Sequence, residues 1–500
     1  MLNVTIDALR PSCRVEPNLF GHFVEHLGRC VYDGLWVGTD SSIPNTEGFR
    51  TDVVDALKAI RPPVIRWPGG NFADDYHWED GVGPPETRPV RTNRWWGGLE
   101  TNQLGTHEFI AFCRLVGAEP YLAGNVGSET PRTLRNWEEY CNFDGDSTLA
   151  QRRRANGAAD PFDVRYWGVG NENWAAGGCM AADEYAAAYR RYATLLLRQE
   201  VGGEPLRLIA CGPPGDGPAW TRSFFEAFHR PDDVLSVSRM WGYAPHFYTF
   251  AGPEEVGATE FTDEQWYSFL SLGAGVEGLI LDQRAIMDEF DPERRISLVL
   301  DEWGSWHRTE RTGPDALWQQ STLRDAVLAA ITLDTFVRHA DLVAMANVAQ
   351  LVNVLQALFL TEGDRLLLTP TYHVFDMYKG HQAGARLEVV IEAGEVSVAG
   401  ATTTGLQAVS GSASVSDGVV TVSLVNPHLH DGVEVGITLE GATVTTVELA
   451  QLGADVPQAH NTFDDPERVH PRRARVEPAG SGWSHVLPPR SISVFTASIT

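Results

Sequence analysis

YWGVGNENW, residues 166–174, decides how this chain is read. Its first four residues are apolar or small, Gly170 follows, and Asn171 and Glu172 come immediately after. A short, nearly continuous apolar run suits a strand buried on both faces, the usual state of a strand in a parallel sheet. An amide and a carboxylate at its end are then polar groups delivered to the rim of the sheet, where Gly170 gives the chain room to turn.

Outward from this stretch, β-like runs alternate with amphipathic helical segments from about residue 18 to about residue 375, the mark of parallel βαβ units. The predicted strands are 19–25, 64–67, 120–123, 164–169, 206–211, 244–248, 296–300 and 342–346. Runs such as ADEYAAAYRRYATLLLRQE (182–200) and TLRDAVLAAITLDTFVRHA (322–340) have the apolar spacing and the Ala, Leu and Arg content of helices. Eight strands, each followed by helical material, predict a (β/α)8 barrel, the TIM-barrel architecture. After about residue 385 the texture changes to Val/Thr/Ser runs of period two, as in ASVSDGVVTVSLVNP and RSISVFTASIT, which predict an antiparallel β-sandwich. MLNVTID alternates in the same way and is expected to join that sheet. The predicted division is a catalytic barrel at 16–380 and a sandwich built from 1–15 plus 381–500.

Composition narrows the partners. Sixty-six acidic residues against 39 basic give a net charge of -27, which repels nucleic acid and anionic lipid and favours a neutral substrate. A blander reading of that charge is solubility alone. The six cysteines, at 13, 30, 113, 141, 179 and 211, form no CxxC pair and read as free thiols. Neither a signal-like N-terminus nor a membrane-length apolar run is visible, so a cytoplasmic protein is expected. QRRRANGAAD (151–160) reads as a solvated loop.

In a (β/α)8 barrel the active site gathers at the C-terminal ends of the strands. Those ends carry Glu25 and His26, PGGNF (68–72), Asn125, Asn171 and Glu172, His246 and Tyr248, Asp301 and Glu302, and Asn347 and Gln350. Trp67, Trp95, Trp96, Trp174, Trp303 and Trp306 are interleaved with them. Amides and carboxylates match the hydroxyls of a sugar and indole faces cover its C–H patches, so the pattern points to a carbohydrate site. Two carboxylates flanking a glycosidic bond cleave it, one protonating the leaving oxygen while the other attacks the anomeric carbon or activates water. Glu172 and Glu302 are the candidate pair. Asp301 competes with Glu302, and strand alternation predicts that only one of the two faces the mouth. His22 and His26 stand four apart but without an HExxH pattern, and neither PGGNF nor GVGP has a phosphate-loop spacing, so no metal and no cofactor are expected.

FGHFVEHLGRCVYDGLW, VIRWPGGNFADDYHWEDGVGP, ETNQLGTHEFIAFCRLVGAEPYLAGNVG, VLDEWGSWH, MANVAQLVNVLQA and LTPTYHVFDMYKGHQ resemble glycoside hydrolase family 51, the α-L-arabinofuranosidases, over essentially the whole chain. GNE (170–172) and DEW (301–303) are similar to the acid/base and nucleophile signatures of clan A glycoside hydrolases. The resemblance implies an exo-acting enzyme that retains anomeric configuration, with Glu172 as acid/base and Glu302 as nucleophile. It further implies that Asn171 binds the 2-hydroxyl, that Glu25, Asn71, Tyr248 and Gln350 line the sugar pocket, that Trp96 and Trp306 form apolar walls, and that His246 supports the catalytic pair. A homo-oligomer, often a hexamer, is implied as well. Where many members read GNEMDGPW this chain has GNENWAAGG, which leaves the preference among arabinan, arabinoxylan and short oligosaccharides open. β-Glucan- or xylan-cleaving activity on the same fold, and a silent sugar-binding protein, are the alternatives.

Overall fold

A computed structural model describes residues 1–196, 200–215, 217–229, 240–250, 257–308 and 315–500. Eight parallel strands form the barrel: Gly21–Phe23, Val64–Trp67, Glu119–Gly124, Tyr166–Val169, Arg207–Cys211, Gly242–Ala244, Ser297–Trp306 and Val343–Val348. Each pairs with the next in chain order, and the last closes on the first through Asn347 and Gly21. The sixth strand is broken at Pro245–His246 and resumes as Phe247–Phe250 beside Trp303–Trp306. Proline has no N–H to give to a central ladder, so the break falls where the sequence dictates.

Seven of the strands each send one side chain into the barrel: Val64, Tyr121, Tyr166, Ile209, Ala244, Val299 and Met345 form a cluster separate from the larger core. At this level the first strand contributes Gly21, which has no side chain. A Cβ on Gly21 would lie 2.5 Å from Asn347 Nδ2 and 2.7 Å from Val64 Cγ1, so only glycine lets the barrel close there.

The helix Leu323–Arg338 is buried along nearly its whole length because it lies between barrel and sandwich. Thr322 caps it, accepting from Arg324 N while Asp325 accepts from Thr322 N at 2.7 Å. Asp334 on this helix accepts hydroxyls from Ser412 at 2.7 Å, from Ser423, and from Tyr378 at 3.2 Å, which ties the two sheets together. The second sheet has nine strands, ordered Arg472–Val476, Val444–Leu452, Ser491–Ile499, Val419–Asn426, Ser410–Ser416, Ala385–Ile391, Leu2–Asp7, Val433–Glu440 and Gly482–Leu487. All its pairings are antiparallel but one: Leu2–Asp7 runs parallel to Val433–Glu440.

Several sequence expectations change in detail. The first strand, expected at 19–25, opens instead as the 3-10 turn Pro17–Phe20 and pairs only over Gly21–Phe23. QRRRANGAAD is not a solvated loop. It enters through the helix Thr148–Ala155, and Arg153 is buried, donating to the carbonyls of Tyr140 at 3.0 Å and Phe143 at 2.8 Å. These acceptors are carbonyls of the neighbouring helix end, invisible to a local reading. The helix expected at 182–200 spans Ala182–Thr194, and 197–199 lie outside the described residues. All six cysteines are free, five of them buried or half-buried. Among the described residues no helix is long and apolar enough to cross a membrane.

Ile209→Ala, in the barrel interior, is expected to cost about 2–5 kcal/mol, the range for such truncations where neighbours cannot collapse into the space. Urea denaturation of the two proteins reads it.

Candidate active site

The fourth strand ends as Gly170 turns with φ +90°, and Glu172 itself takes φ +41°, a left-handed conformation unusual for glutamate. A Cβ on Gly170 would lie 2.0 Å from Asn173 Oδ1, so the turn needs glycine. The bend lifts the Glu172 side chain to 18% exposure, the most open of the central carboxylates, and sets its Oε1 2.8 Å from His246 Nδ1.

Glu302 comes from the seventh strand, where alternation would have turned either it or Asp301 away. Pairing with the eighth strand shifts register between Leu300 and Trp303: three residues advance against two on the partner. Such a bulge re-aims side chains, and both carboxylates reach the same cluster. Arg66, on the second strand, donates to Glu302 Oε1 at 2.7 Å and lies 3.3 Å from Asp301 Oδ2. Its other terminal nitrogen donates to Asn171 Oδ1 at 2.5 Å. Tyr248 donates to Glu302 Oε2 at 2.7 Å, and Tyr121 donates to Asp301 Oδ2 at 2.6 Å.

His246, beyond the proline of the broken sixth strand, stands among three carboxylates. Its Nδ1 is 2.8 Å from Glu172 and 3.5 Å from Glu302, and its Nε2 is 3.1 Å from Asp301. Burial opposes protonation, but the charge of Glu302 and the bonds to Asp301 and Glu172 outweigh it and raise the imidazole pKa to about 10. Burial likewise works against ionising Asp301, yet Arg66 and His246 bring its pKa down to about 2. Donor atoms of Glu172, His246 and Glu302 lie within 4.8 Å of one another, close enough in principle to share a metal. In this structure the three side chains are joined to one another, the His246 ring meeting both glutamates through Nδ1.

Glu25 forms the other wall. It accepts from Phe72 N at 3.0 Å, Trp96 Nε1 at 2.9 Å and Gln350 Nε2 at 3.0 Å. Burial first, then the charge of Glu302, raises its pKa to about 7 against those donors. The glycines of PGGNF admit this closeness: a Cβ on Gly69 would sit 2.7 Å from Glu25 Cγ, and one on Gly70 would sit 3.0 Å from Glu302 Oε1 and 3.2 Å from Glu25 Oε2. Gln350 Oε1 is buried without a hydrogen-bond partner among the described residues and is available to a hydroxyl. Asn71 lies at the edge, its Oδ1 3.5 Å from Asn171 Nδ2. Trp306 packs edge-on against Tyr248, with ring centroids 5.3 Å apart.

The ten site candidates read from sequence therefore fall in one neighbourhood. Two of the tryptophans do not. Trp67 packs outward on Phe109 and Trp137, and Trp303 on Phe336 and Phe375, so both belong to the layer between strands and helices. Sequence reading passed over Arg66, Asp74 and Tyr121 as partners in the cluster, and it expected only one of Asp301 and Glu302 to face the mouth, whereas both do. The available signal was Arg66 itself, a charge inside the apolar run VIRW that burial tolerates only with counter-charges nearby.

A barrel mouth with two glutamates this close, flanked by amides and indoles and centred on a buried cation, defines a glycoside hydrolase. The family described as "Alpha-L-arabinofuranosidase C-terminal domain" matches residues 301–491, and "Alpha-L-arabinofuranosidase 1 domain" matches 56–241. An intracellular exo-alpha-L-arabinofuranosidase of Bacteroides ovatus is 41% identical over 98% of this chain and 94% of its own. The crystal structure of a GH51 arabinofuranosidase from Xanthomonas axonopodis pv. citri superposes with a TM-score of 0.94 at 41% identity, covering 99% of each chain. The arabinose complex of an alpha-L-arabinofuranosidase from Thermotoga maritima gives 0.88 at 30% identity over 100% of both chains. The chain belongs to glycoside hydrolase family 51, the α-L-arabinofuranosidases.

Arg66→Met leaves Asp301 and Glu302 buried without their guanidinium and is expected to cost about 3–5 kcal/mol near pH 7. Asp301 has its folded pKa depressed from 3.8 to about 2, so its share of the stability is present above about pH 4 and is lost as pH falls through 2. The gap between wild type and variant in chemical denaturation is therefore expected to narrow below pH 4.

Proposed function

We propose that this chain is an exo-acting, retaining α-L-arabinofuranosidase that releases terminal non-reducing α-L-arabinofuranosyl residues from arabinan- and arabinoxylan-derived oligosaccharides. The observation that carries the mechanism is the approach of Glu172 and Glu302, whose carboxylate oxygens lie within 4.8 Å. Retaining glycosidases hold their carboxyl groups roughly 5–5.5 Å apart, whereas inverting ones leave room for a water.

In this reading Glu302 attacks the anomeric carbon while Glu172 gives its proton to the departing oxygen, leaving an arabinosyl ester on Glu302. Water then attacks the same carbon, Glu172 takes the water's proton, and the ester opens to free arabinose and the Glu302 carboxylate. Arg66 and Tyr248 each donate to one oxygen of Glu302, which aims the nucleophile. Asn171, held by Arg66, is assigned to the 2-hydroxyl. Glu25, Asn71, Gln350, Trp96, Tyr248 and Trp306 are assigned to the remaining faces of the sugar, and His246 to holding the pair in register. The Bacteroides ovatus relative is named intracellular, which supports a cytoplasmic place for this chain. A homo-oligomer, a hexamer by family resemblance, is part of the same proposal and is read by light scattering.

Proton NMR of 4-nitrophenyl α-L-arabinofuranoside hydrolysis is expected to show the α-anomer of arabinose first. Failure to cleave the arabinoside, with cleavage of β-glucosides instead, removes the substrate assignment, and a β-anomer first removes retention. Glu302→Ala is expected to abolish turnover. Glu172→Ala is expected to lose about 10²–10⁴-fold on substrates with poor leaving groups, with azide accelerating turnover of activated aryl substrates.

A further inference from the structure

Asp74 is buried in the loop that follows the second strand, and its two carboxylate oxygens face two different loops. Oδ1 accepts from Val126 N at 2.7 Å and Gly127 N at 2.8 Å, both after the third strand. Oδ2 accepts from Asn171 N at 2.9 Å, one residue before Glu172. The packing around that second oxygen is close: a Cβ on Gly177 would lie 2.4 Å from Asp74 Oδ2, 2.3 Å from Asn173 Nδ2 and 2.7 Å from the Asn171 carbonyl. Gly177 is held there because its carbonyl accepts from Asn173 Nδ2 at 2.8 Å.

Asn171 is thereby fixed twice, at its backbone by Asp74 and at its side chain by Arg66. The next residue, Glu172, carries the left-handed φ of +41°, and a strained residue persists only where its surroundings over-determine it. We infer that Asp74 is a positioning residue for the acid/base, a rivet joining three loops that holds Glu172 where a proton reaches the departing oxygen. Burial raises the Asp74 pKa to about 6, opposed by the three N–H donors and by Arg66; the structure thus keeps this carboxylate at a cost that apolar filling would avoid. The inference rests on the reading of Glu172 as acid/base.

An amide cannot do the same work. Asp74→Asn has one carbonyl oxygen, which satisfies the two donors of the third loop, and turns an NH₂ against the Asn171 N–H. Only the link to the catalytic loop is broken.

The experiment measures kcat/KM of Asp74→Asn, Gly177→Ala, Glu172→Ala and wild type on aryl α-L-arabinofuranosides with 2,4-dinitrophenol, 4-nitrophenol and phenol as leaving groups, with thermal unfolding of each protein. Acid catalysis matters most for phenol and least for dinitrophenol. Asp74→Asn is expected to lose about 10²-fold on the phenyl substrate and less than about threefold on the dinitrophenyl one, within the span of a displaced general acid. Gly177→Ala, which presses on the same contact from the other side, is expected to tilt the series in the same direction, and it decides the matter should Asp74→Asn not fold. Equal losses on all three substrates, no loss at all, or two variants that both fail to fold overturn the inference. Glu172→Ala separates the two layers. If it does not tilt the series, the acid/base reading has failed; if it tilts and folded Asp74→Asn does not, only the role of Asp74 has.

Discussion

The site depends on one buried guanidinium. Four carboxyl groups, from Glu25, Glu172, Asp301 and Glu302, converge where water is scarce, and charges there destabilise one another unless cations sit between them. Arg66 meets this demand through three partners on two other strands, and the planar fork of an arginine is what allows one side chain to bond Glu302, Asn171 and Asp301 together. His246 is the second cation and is recruited by the same negative field. The carboxylates of the seventh strand, the amide of the fourth and the imidazole of the sixth are thus held in register by charge as much as by the sheet.

The barrel gives this arrangement its reach through departures from regularity. An ideal strand would present Asp301 and Glu302 on opposite faces, and the bulge after Leu300 brings both inward. An unbroken sixth strand would bury His246 in the ladder, and Pro245 ends that strand one residue earlier. An ordinary turn after the second strand would keep its backbone at side-chain distance, and Gly69 and Gly70 let it pass beneath two carboxylates. Each of these irregularities is costly alone and lies at the mouth, above the interior layer from Val64 to Met345.

Much of this was legible in the sequence. Strands four and seven could be read because their apolar runs end abruptly in polar residues, and GNE and DEW marked the carboxylates before any geometry was known. The sandwich was legible because period-two runs separated by Gly and Asp admit little else. Arg66 and Asp74 escaped because their meaning lies in partners more than fifty residues away, and nothing in VIRW or NFADD names those partners. Burial of Arg153 escaped because its acceptors are backbone carbonyls of Tyr140 and Phe143, which no side-chain pattern marks. The alternation rule misjudged Asp301 because a bulge is a property of two paired strands and leaves no trace in one of them.

The parallel pairing of Leu2–Asp7 with Val433–Glu440 bears on how the chain assembles during synthesis. The partner that closes this pair lies about 430 residues further along, and at ribosomal rates of roughly 5–20 residues per second the early strand waits on the order of twenty seconds to a minute and a half for it. For most of that interval the barrel can form while the strand has no edge to join, until its antiparallel partner Ala385–Ile391 emerges. Its polar positions, Asn3, Thr5 and Asp7, keep one side of the waiting segment hydrated, which lowers its tendency to pair with a neighbouring nascent chain.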